Sequence, residues 1–478
     1  MISFEKLFDG VKIKKILNPT IDKFFNHPTF DSRKVEDDDV FFCFEGKKEN
    51  GQNFVDDAIK NGAKAIVCKS ELDISVMQII VDDSREAFAL CCKNYFDKCC
   101  DKLKIIGVSG TNGKTTTATL IAHILNHAGK TTAVIGTSGA FWGGNNIDFS
   151  MTTPDPDLLH KIFSQMKNDG VEYVVMEVSA HAIALKKIAG IIFEVAVLTN
   201  VTEDHLDFFD TFESYAKTKI KFMNSPYVLS RVINVDDKIL RTNIQENKLA
   251  KITYGMDNPA DCFAAGLSMS PKGSNFILNF MDNVVEINSP LVGKYNVENV
   301  LAAFCACSML GVPFEETKDA VASFPGVEGR FNVFSSSRGF DVVIDYAHTP
   351  DGLKNVLQTA SGLTSGRLIL VFGCGGNRER QKRPQMARIA QMYCDEVIVT
   401  SDNPRFEDPQ NIIDEIKAGF DGANHIEIID RFLAIKHAME IARPHDIVLI
   451  CGKGGEDYME IKGEKHHFKD CEVIKQFL

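Results

Sequence analysis

Short apolar runs alternate with amphipathic helical patterns along most of this 478-residue chain. Such alternation predicts mostly parallel β-sheets that carry helices on both faces. In the middle of the chain, buried strands are expected at residues 103–108, 132–135, 173–177, 195–199 and 227–234. Helical patterns in the same part cover residues 115–128, 158–167, 215–223 and 296–310. The middle of the chain is therefore predicted to form a wound α/β sheet.

The pattern divides into three blocks, and a chain of this length is expected to contain about three domains. The first block, residues 1–97, has strand patterns at 41–44, 65–67 and 78–81 and a helical pattern at 54–61. The second block, residues 98–329, ends near Pro325 and Gly326, which we interpret as the start of a linker. The third block, residues 330–478, has strand patterns at 342–345, 368–372, 396–400 and 447–451, and helical patterns at 412–419 and 432–441. We predict a three-domain α/β fold with a smaller N-terminal domain, a central parallel-sheet domain and a C-terminal Rossmann-like domain.

Composition places the chain among soluble enzymes. Hydrophobic residues make up 44% and charged residues 25% of the sequence, as is typical of globular proteins. No apolar run reaches the ~18 residues of a membrane span, and the N-terminus lacks the basic and apolar regions of a signal peptide. The 13 cysteines have no metal-binding or disulfide spacing, as expected of free thiols in a reducing compartment. We expect a cytoplasmic monomer without membrane insertion.

The net charge of −12 argues against nucleic acid as the main partner. An acidic protein that binds anionic ligands needs cations gathered locally in a cleft. The candidate cations are Lys47, Lys48, Lys187, Arg378, Arg383 and Arg405.

One loop carries the clearest chemical signal, and it lies between the predicted strand 103–108 and the predicted helix 115–128. It consists of Gly110, Thr111, Asn112, Gly113, Lys114, Thr115 and Thr116. Glycines allow backbone N–H groups to approach phosphate oxygens, the lysine adds positive charge, and the first threonine can bind Mg²⁺. The strict P-loop pattern needs glycine where this chain has Val108, and the chain has no Asn-Lys-x-Asp guanine motif. The loop therefore indicates an ATP phosphate site outside the ordinary P-loop kinases and GTPases.

Acidic and imidazole groups follow two of the predicted central strands. Glu177 closes the strand 173–177, and Asp204 and His205 follow the strand 195–199. Ligands of open parallel sheets bind at the carboxyl ends of the strands, and a carboxylate there, near a phosphate-loop threonine, commonly holds Mg²⁺. Any one of these residues alone would be read as solvated. Together with the phosphate loop they predict a Mg²⁺-dependent ATP site.

Five separated motifs, in order along nearly the whole chain, resemble those of the Mur ligases of peptidoglycan synthesis. They occupy residues 110–116, 176–181, 200–207, 293–299 and 345–350. The resemblance implies a central P-loop-type ATPase domain between a UDP-sugar domain and an amino-acid domain. It also implies peptide-bond formation that uses ATP and Mg²⁺, in which a substrate carboxylate attacks the γ-phosphate and an amine then attacks the acyl phosphate.

The run Ser-Asp-Asn-Pro-Arg at residues 401–405 looks like the recognition motif of the family members that add meso-diaminopimelate to UDP-N-acetylmuramoyl-L-alanyl-D-glutamate. A guanidinium can bind the extra carboxylate that distinguishes diaminopimelate from lysine. The resemblance implies that the amino acid is contacted by Arg378, Asp402, Asn403, Pro404, Arg405, Gly452 and Glu456. By this resemblance, Arg378 and Arg405 would bind the carboxylates of the amino acid, and Glu456 would bind its distal ammonium. A lysine-adding ligase of the same family and a non-catalytic nucleotide-binding scaffold remain as alternatives.

The first block is similar to the uridine-binding domain of the same family. The implied contacts with the UDP-sugar are Phe30, Ser32, Lys47, Lys48 and Glu49. The contacts implied for the sugar-dipeptide end are Thr152, Thr153, Ser179 and Lys187. Three positions depart from the family pattern, since Gly455 replaces a common histidine, Ala180 a frequent serine and Lys187 a common arginine.

The resemblance also assigns the remaining nucleotide contacts. Asn296 and Asp345 would hold the nucleoside, and Arg330, entering from the third domain, would hold the phosphates. This arrangement requires closure of the domains, which would keep water from the acyl phosphate.

A lysine in the helical pattern 215–223 has a special role in the family. Among Lys217, Lys219 and Lys221, the resemblance selects Lys219 as a carbamylated lysine, an anion able to bind a second Mg²⁺. The implied catalytic residues are Lys114, Glu177, His205 and Lys219. The implied metal ligands are Thr115, Glu177, His205 and carbamylated Lys219.

Overall fold

Three main sheets, of five, eleven and six strands, follow one another along the chain. The computed structural model describes residues 1–46, 50–243, 249–422 and 425–478. Each sheet has a hydrophobic core on both of its faces, because successive side chains of a strand point to opposite faces. The α/β prediction is confirmed. Among the described residues, no helix is both long and apolar enough to cross a bilayer.

The N-terminal part of the chain forms the five-stranded sheet and a separate pair of short strands. Its strands are β1 (Ile2–Ser3), β2 (Ile13–Leu17), β3 (Phe24–Phe25), β4 (Pro28–Thr29), β5 (Val40–Phe42), β6 (Ala65–Cys68) and β7 (Met77–Val81). Its helices are α1 (Phe4–Leu7), α2 (Val55–Lys60) and α3 (Ser84–Tyr95). The sheet order is β2-β7-β6-β5-β4, and only the β2–β7 pair is antiparallel. Along β6, Val67 packs with α3 on one face and Ile66 with α2 on the other.

The central sheet is parallel in its middle and antiparallel at both edges. Its strands are β8 (Lys104–Ser109), β9 (Thr132–Gly136), β10 (Gly139–Trp142), β11 (Asn145–Ile147), β12 (Tyr173–Glu177), β13 (Val195–Leu198), β14 (Ser230–Asn234), β15 (Ala250–Gly255), β16 (Cys262–Ser270), β17 (Gly273–Phe280) and β18 (Asn283–Ser289). They pair in the order β11-β10-β9-β12-β8-β13-β14-β15-β16-β17-β18. Parallel pairing extends from β9 to β16.

Helices of the central part cover the two faces of this sheet. They are α4 (Lys114–His127), α5 (Pro156–Asn168), α6 (Ala180–Ala184), α7 (Leu206–Phe209), α8 (Phe212–Met223), α9 (Lys238–Asn243), α10 (Lys294–Met309) and α11 (Phe314–Ala322). The helices α4, α10 and α11 share one core, and α5 and α8 contribute to the other. Because β8 is buried from both sides, the loop that follows it rests on a rigid support.

The third part of the chain forms a doubly wound sheet in the order β19-β20-β24-β21-β22-β23. Its strands are β19 (Asn332–Ser335), β20 (Asp341–Asp345), β21 (Leu368–Phe372), β22 (Glu396–Val399), β23 (Ile426–Glu427), β24 (Ile447–Cys451), and the separate hairpin β25 (Tyr458–Ile461) and β26 (Glu464–His467). Its helices are α12 (Pro350–Leu363), α13 (Lys382–Tyr393), α14 (Pro409–Lys417), α15 (Arg431–Ile441) and α16 (Asp470–Ile474). The helices α12, α13 and α14 pack on one face, and α15 and α16 on the other.

The antiparallel edges of the central sheet were not predicted from the sequence pattern. The strands β10 and β11 extend one edge, and β17 and β18 extend the other. The strand expected at residues 227–234 begins only at Ser230. The helix expected at residues 54–61 begins at Val55, after a 3-10 turn over Gly51–Phe54. These differences lie away from the carboxyl ends of β8, β12 and β13, where the predicted site residues are found.

The carboxyl ends of the parallel strands in the central and third sheets meet at one interface. Asn112, in the loop after β8, donates from Nδ2 to Asp351 Oδ2 at 3.0 Å. Arg330, which precedes β19, donates from Nη2 to Thr115 Oγ1 at 3.2 Å. The two sheets therefore present their ligand-binding edges to each other.

Candidate active site

Two positions in the phosphate loop, Gly110 and Gly113, require glycine. Gly110 has φ +146° and Gly113 has φ +85°, values that side-chain-bearing residues rarely adopt. A Cβ atom at Gly110 would lie 1.8 Å from Thr199 Oγ1, and one at Gly113 would lie 2.4 Å from Asn299 Oδ1. Thr111 N–H donates to the Asn200 carbonyl at 2.9 Å. The neighbouring strand β13 and helix α10 thus mould the loop into one shape.

Two lysines donate to the same carbonyl oxygen in this loop. Lys114 Nζ lies 2.9 Å and Lys219 Nζ lies 2.6 Å from the Gly110 oxygen. Burial lowers the pKa of Lys114, although Glu177 and Asp204 oppose the shift. Burial and the charge of Lys114 lower the pKa of Lys219 well below its usual value. An uncharged amine at Lys219 relieves the repulsion between the two groups.

The strand-end acids and His205 surround this pair of lysines. Glu177 is buried and accepts hydrogen bonds from Thr137, at 3.0 Å from the backbone N–H and 3.3 Å from the hydroxyl. His205 lies in the left-handed region with φ +58°, and its Nε2 is 3.4 Å from Asp204 Oδ2. Burial lowers the pKa of His205 to about 4, so its ring is neutral at pH 7 and available as a ligand.

Asp204 lies near basic side chains from two domains. Burial raises its pKa, but His205, His348 and Lys382 outweigh that effect and bring the pKa to about 2. His348 and Lys382 belong to the third domain, and neither was predicted from the sequence. Within the described ranges, no three His, Cys, Asp or Glu side chains come close enough together to hold a metal ion. A cation here would therefore need phosphate oxygens or a modified lysine to complete its ligand set.

The residues assigned to the nucleoside are occupied by contacts within the protein. Asn296 Nδ2 donates to the Val292 carbonyl at 2.8 Å. Asp345 accepts the N–H groups of Phe331 at 2.8 Å and Ala347 at 2.7 Å. Burial raises the pKa of Asp345, and Arg330 opposes the shift. These side chains shape the linker beside the phosphate loop, and their contact with a nucleoside stays a prediction.

Arg330 reaches the phosphate loop from the segment that precedes β19. Its guanidinium lies 4.3 Å from the centre of the Tyr346 ring in addition to its contact with Thr115. Thr116 lies buried one residue further along α4. The Arg330 guanidinium is thus held at the edge of the phosphate loop by stacking on the Tyr346 ring.

The predicted amino-acid residues converge at the carboxyl ends of β22 and β24. Asn403 Nδ2 donates to Glu456 Oε2 at 2.8 Å, and Asp402 Oδ1 accepts the Asn403 N–H at 2.6 Å. A Cβ atom at Gly452 would lie 2.3 Å from Asp402 Oδ2, so only glycine fits there. The buried Lys453 donates to Asn403 Oδ1 at 3.2 Å and to Glu456 Oε2 at 3.3 Å. The sequence analysis did not single out Lys453, although it lies within a quoted motif.

A fully buried ion pair supports these loops from behind. Arg431 Nη2 lies 2.7 Å from Asp470 Oδ2, and both side chains are inaccessible to solvent. The same guanidinium donates to the carbonyls of Ser401 and Cys451, at 3.5 Å and 3.1 Å. Arg431 therefore joins the ends of β22 and β24 to the C-terminal helix α16.

The two arginines assigned to carboxylates have different surroundings. Arg405 is partly buried and donates from Nε to Glu460 Oε2 at 3.1 Å. Arg378 is exposed, on the loop that follows β21. Pro404 is buried, and its carbonyl packs so closely on Gly376 that a Cβ atom there would lie 1.9 Å away.

The prediction that Arg383 is a free cation for substrates is wrong. Its side chain is fully buried, and Nη1 donates to Glu407 Oε2 at 2.9 Å and to Glu415 Oε2 at 2.8 Å. Nη2 donates to the Gly375 carbonyl at 3.2 Å. Glu407 also accepts the Asn377 N–H. Arg383 therefore ties together the two loops that carry the other arginines.

In the first domain, aromatic side chains surround the predicted UDP-sugar contacts. Phe30 stacks on Phe44 with ring centres 5.2 Å apart, and Arg85 lies 4.4 Å above Phe44. Ser32 is buried at the start of a 3-10 turn over Ser32–Lys34. Three further predicted contacts, Lys47, Lys48 and Glu49, lie outside the described residues.

The predicted sugar-dipeptide contacts cluster around the end of β12. Thr153 Oγ1 donates to the Glu177 carbonyl at 2.9 Å and accepts the Ser179 N–H at 3.1 Å. Thr152 Oγ1 is 3.3 Å from Thr137 Oγ1. Lys187 pairs with an acid, since its Nζ is 2.8 Å from an Asp155 carboxylate oxygen.

Two of the departures from the family pattern fill tight positions. Ala180, the first residue of α6, is 3% exposed and packs in the core of the central sheet. A Cβ atom at Gly455 would lie 3.1 Å from the Glu328 carbonyl oxygen, so a side chain there would require that neighbour to shift slightly.

Models of Mur ligase domains match three segments of the chain. The "Mur ligase family, catalytic domain" matches residues 27–94, the "Mur ligase middle domain" residues 108–307, and the "Mur ligase, glutamate ligase domain" residues 329–454. The chain belongs to the Mur ligase family.

Individual Mur ligases are similar over nearly the whole length. The UDP-N-acetylmuramoyl-L-alanyl-D-glutamate--2,6-diaminopimelate ligase of Clostridium botulinum is 41% identical over 457 residues, which cover 94% of each chain. A solved structure of an enzyme with that name is 34% identical, with a TM-score of 0.71, and the alignment covers 99% of this chain and 98% of the other. The MurF ligase of Thermotoga maritima, solved in complex with ADP, is 22% identical with a TM-score of 0.63 over 89% of this chain and 93% of the other. The similarity to this MurF structure supports a common fold.

Proposed function

We propose that this Mur ligase adds meso-diaminopimelate to UDP-N-acetylmuramoyl-L-alanyl-D-glutamate in an ATP-dependent, ADP-forming reaction of peptidoglycan precursor synthesis. One observation carries the proposal. The loop that contains Arg405 and the loop that contains Glu456 converge at the end of the third sheet, and that sheet edge faces the lysine-bearing phosphate loop of the central domain. This arrangement supports an amino-acid site opposite an ATP site, as formation of an amide from an acyl phosphate requires.

The phosphate loop would activate the carboxylate of the UDP-sugar dipeptide. Lys114 and the loop N–H groups hold the γ-phosphate, which the D-glutamyl carboxylate attacks to form an acyl phosphate and ADP. Two negatively charged groups must meet in this step, so neutralisation of their charge is the main catalytic contribution. Arg330 adds a second cation from the third domain. The amine of diaminopimelate then attacks the acyl carbon, and inorganic phosphate leaves.

The residues around Lys114 fit a magnesium site if Lys219 is carbamylated. Thr115, Glu177, His205 and the Lys219 carbamate would hold Mg²⁺, which supplies charge neutralisation when it is bound. Carbamylation joins CO₂ to a neutral amine with loss of a proton. The lowered pKa of the buried Lys219 amine keeps it in the reactive, uncharged form. Conversion to an anion would also replace the repulsion between Lys219 and Lys114 with attraction.

The third domain would bind diaminopimelate by matching charge at both ends. Arg405 and Arg378 bind carboxylates, and Glu456 binds the distal ammonium. Asp402, Asn403 and Gly452 shape the site, because they hold the loops at the ends of β22 and β24 in contact. Lys453, buried below Asn403 and Glu456, orients the glutamate.

The other assignments follow the same plan. We infer that residues 1–97 bind the UDP-sugar through Phe30 and Ser32, that residues 98–329 bind ATP, and that residues 330–478 bind the amino acid. The sugar-dipeptide end would reach Thr153 and Ser179, next to Glu177. We infer that the protein is a monomer and that it works in the cytoplasm, where the nucleotide-linked substrate is made.

ADP release from the purified protein tests this proposal. We expect ADP only when ATP, Mg²⁺, the UDP-dipeptide and diaminopimelate are all present, and much less when lysine replaces diaminopimelate. Arg405→Ala should reduce the rate with diaminopimelate more than the rate with lysine. Binding of ATP without ADP release would identify a non-catalytic scaffold, and a preference for lysine would identify the lysine-adding relative.

A further inference from the structure

The hairpin β25–β26 is joined through its first strand to the loop that carries Arg405. Arg405 N–H donates to the Glu460 carbonyl at 2.9 Å, and Lys462 N–H donates to the Arg405 carbonyl at 2.6 Å. Glu460 N–H donates to Asn403 Oδ1 at 2.9 Å. Arg405 and Ile461 form a parallel bridge. The loop that carries Arg405 therefore pairs with the hairpin as a short strand would.

This pairing supports an unusual backbone conformation. Arg405 has φ +51°, which is uncommon for a residue with a side chain and persists only where the surroundings hold it. The two backbone hydrogen bonds from the hairpin supply that support. The direction in which the Arg405 side chain leaves the loop thus depends on β25.

The side chain of the same hairpin residue holds the guanidinium. Arg405 Nε donates to Glu460 Oε2 at 3.1 Å, and Nη1 donates to the Gly376 carbonyl at 2.9 Å. A guanidinium has five N–H donors. The contacts given by the structure use two of them, one on Nε and one on Nη1. Of the remaining three, one belongs to Nη1 and two belong to Nη2. One hydrogen of each terminal nitrogen can form the Nη1–Nη2 edge, which can bind a carboxylate through two parallel hydrogen bonds.

We propose that Glu460 is a positioning residue that sets the preference of this site for an amino acid with a distal carboxylate. It occupies the Nε side of Arg405 and leaves the Nη1–Nη2 edge directed at the substrate. The two side chains are only 20% and 24% exposed, so solvent screens their attraction weakly. The inference rests on the proposed function and names a residue that selects its amino-acid substrate.

Steady-state kinetics with two amino acids test this role. For Glu460→Ala we expect KM for diaminopimelate to rise about tenfold, the size of effect of one charge-assisted hydrogen bond lost while the Gly376 contact remains. We expect kcat to change little, because the acyl phosphate forms in the central domain. We expect kcat/KM for lysine to stay unchanged, because lysine has no distal carboxylate for Arg405 to bind. The ratio of the two kcat/KM values is the decisive quantity.

Two variants serve as controls on the hairpin itself. Glu460→Gln keeps the shape and one acceptor oxygen, and neutral hydrogen bonds are about half as strong as charged ones. It should lower the diaminopimelate-to-lysine ratio by about threefold, which keeps the test valid if Glu460→Ala does not fold. Glu464→Ala removes an exposed glutamate from the facing strand β26 and should leave the ratio unchanged.

A double-mutant cycle shows whether Glu460 acts through Arg405. In an Arg405→Ala background, a further Glu460→Ala change should have no effect on kcat/KM for diaminopimelate, because the residue that it positions is gone.

Three results would overturn the role of Glu460 while the wild-type protein stays active with diaminopimelate. They are an unchanged ratio in Glu460→Ala, an equal loss with both amino acids, and a gain in kcat/KM for diaminopimelate, which would make Glu460 a competitor of the substrate. A wild-type protein that releases no ADP with diaminopimelate would instead overturn the proposed function and this inference with it.

Discussion

Replacement of Glu407 by glutamine should weaken the third domain and its amino-acid site together. Glu407 binds the fully buried guanidinium of Arg383 through both carboxylate oxygens, at 2.9 and 3.0 Å. This contact is the main reason that the pKa of Glu407 falls from 4.5 to about 2. At about 1.4 kcal/mol for each pKa unit, the shift corresponds to roughly 3 kcal/mol. Because water reaches part of the carboxylate and Glu415 still faces Arg383, we expect a loss of about 2 kcal/mol.

The effect of pH on this loss has a definite sign. The folded-state pKa of Glu407 is depressed, so its contribution to the free energy of unfolding is present above pH 4.5 and is lost as the pH falls through about 2. Urea unfolding should show the wild-type protein more stable than Glu407→Gln by about 2 kcal/mol at pH 7. That difference should shrink as the pH is lowered from 4.5 towards 2.

A neighbouring glutamate provides the control. Glu415→Gln removes the single 2.8 Å contact of a more exposed carboxylate with Arg383, and it should cost less than about 1 kcal/mol. Glu407→Gln should also raise KM for diaminopimelate several-fold, since the loops it joins carry the substrate arginines. Equal stability of the two variants at pH 7, or a Glu407→Gln difference that does not shrink in acid, would refute the reasoning.

Three further predictions concern the phosphate loop and the support of the third domain. Lys219→Arg cannot form a carbamate, so it should abolish ADP release, whereas Lys217→Arg on the exposed side of the same helix should remain active; activity in the first variant would rule out the carbamate. Gly110→Ala should raise the ATP dissociation constant by roughly tenfold or more in a calorimetric titration without loss of helix content, because the added Cβ has no space. Asp470→Asn should cost about 3–5 kcal/mol in urea unfolding, because Arg431 would remain buried without its carboxylate, and a loss below 1 kcal/mol would contradict that account.

Much of the parallel core could be predicted from the sequence. The strands expected at 173–177, 368–372 and 447–451 have the same bounds in the structure, because strands buried on both faces are short continuous apolar runs. The meander β16–β18 was missed, although Phe276, Leu278 and Phe280 alternate inwards along β17. Ile277 and Asn279, which point away from that core, separate them, so a period-two alternation was the available signal, and the exposed Ile277 obscures it. The helix α13 was missed because two of its buried residues, Lys382 and Arg383, are charged, and because Pro384 interrupts the helical pattern near its start.

The candidate site could be located from the sequence only where its residues lie in continuous motifs. The phosphate loop was recognised because strand, turn and helix signals surround it, and the run at 401–405 was recognised because it resembles a motif of the family. Glu460 and Lys382 were not, because their importance depends on contacts with residues distant in the chain. The same limitation explains Arg383, whose positive charge suggested a ligand site while its partners lie 24 and 32 residues away.

The central claim is that Arg405, held at the end of β22, selects diaminopimelate for addition to the UDP-dipeptide. A competition with equal concentrations of diaminopimelate and lysine, read out by the mass of the UDP-tripeptide product, tests it most directly. The wild-type protein should form almost entirely the diaminopimelate product, and Arg405→Ala should lose that preference. A lysine-containing product from the wild-type protein, with Arg405 intact, would contradict the account.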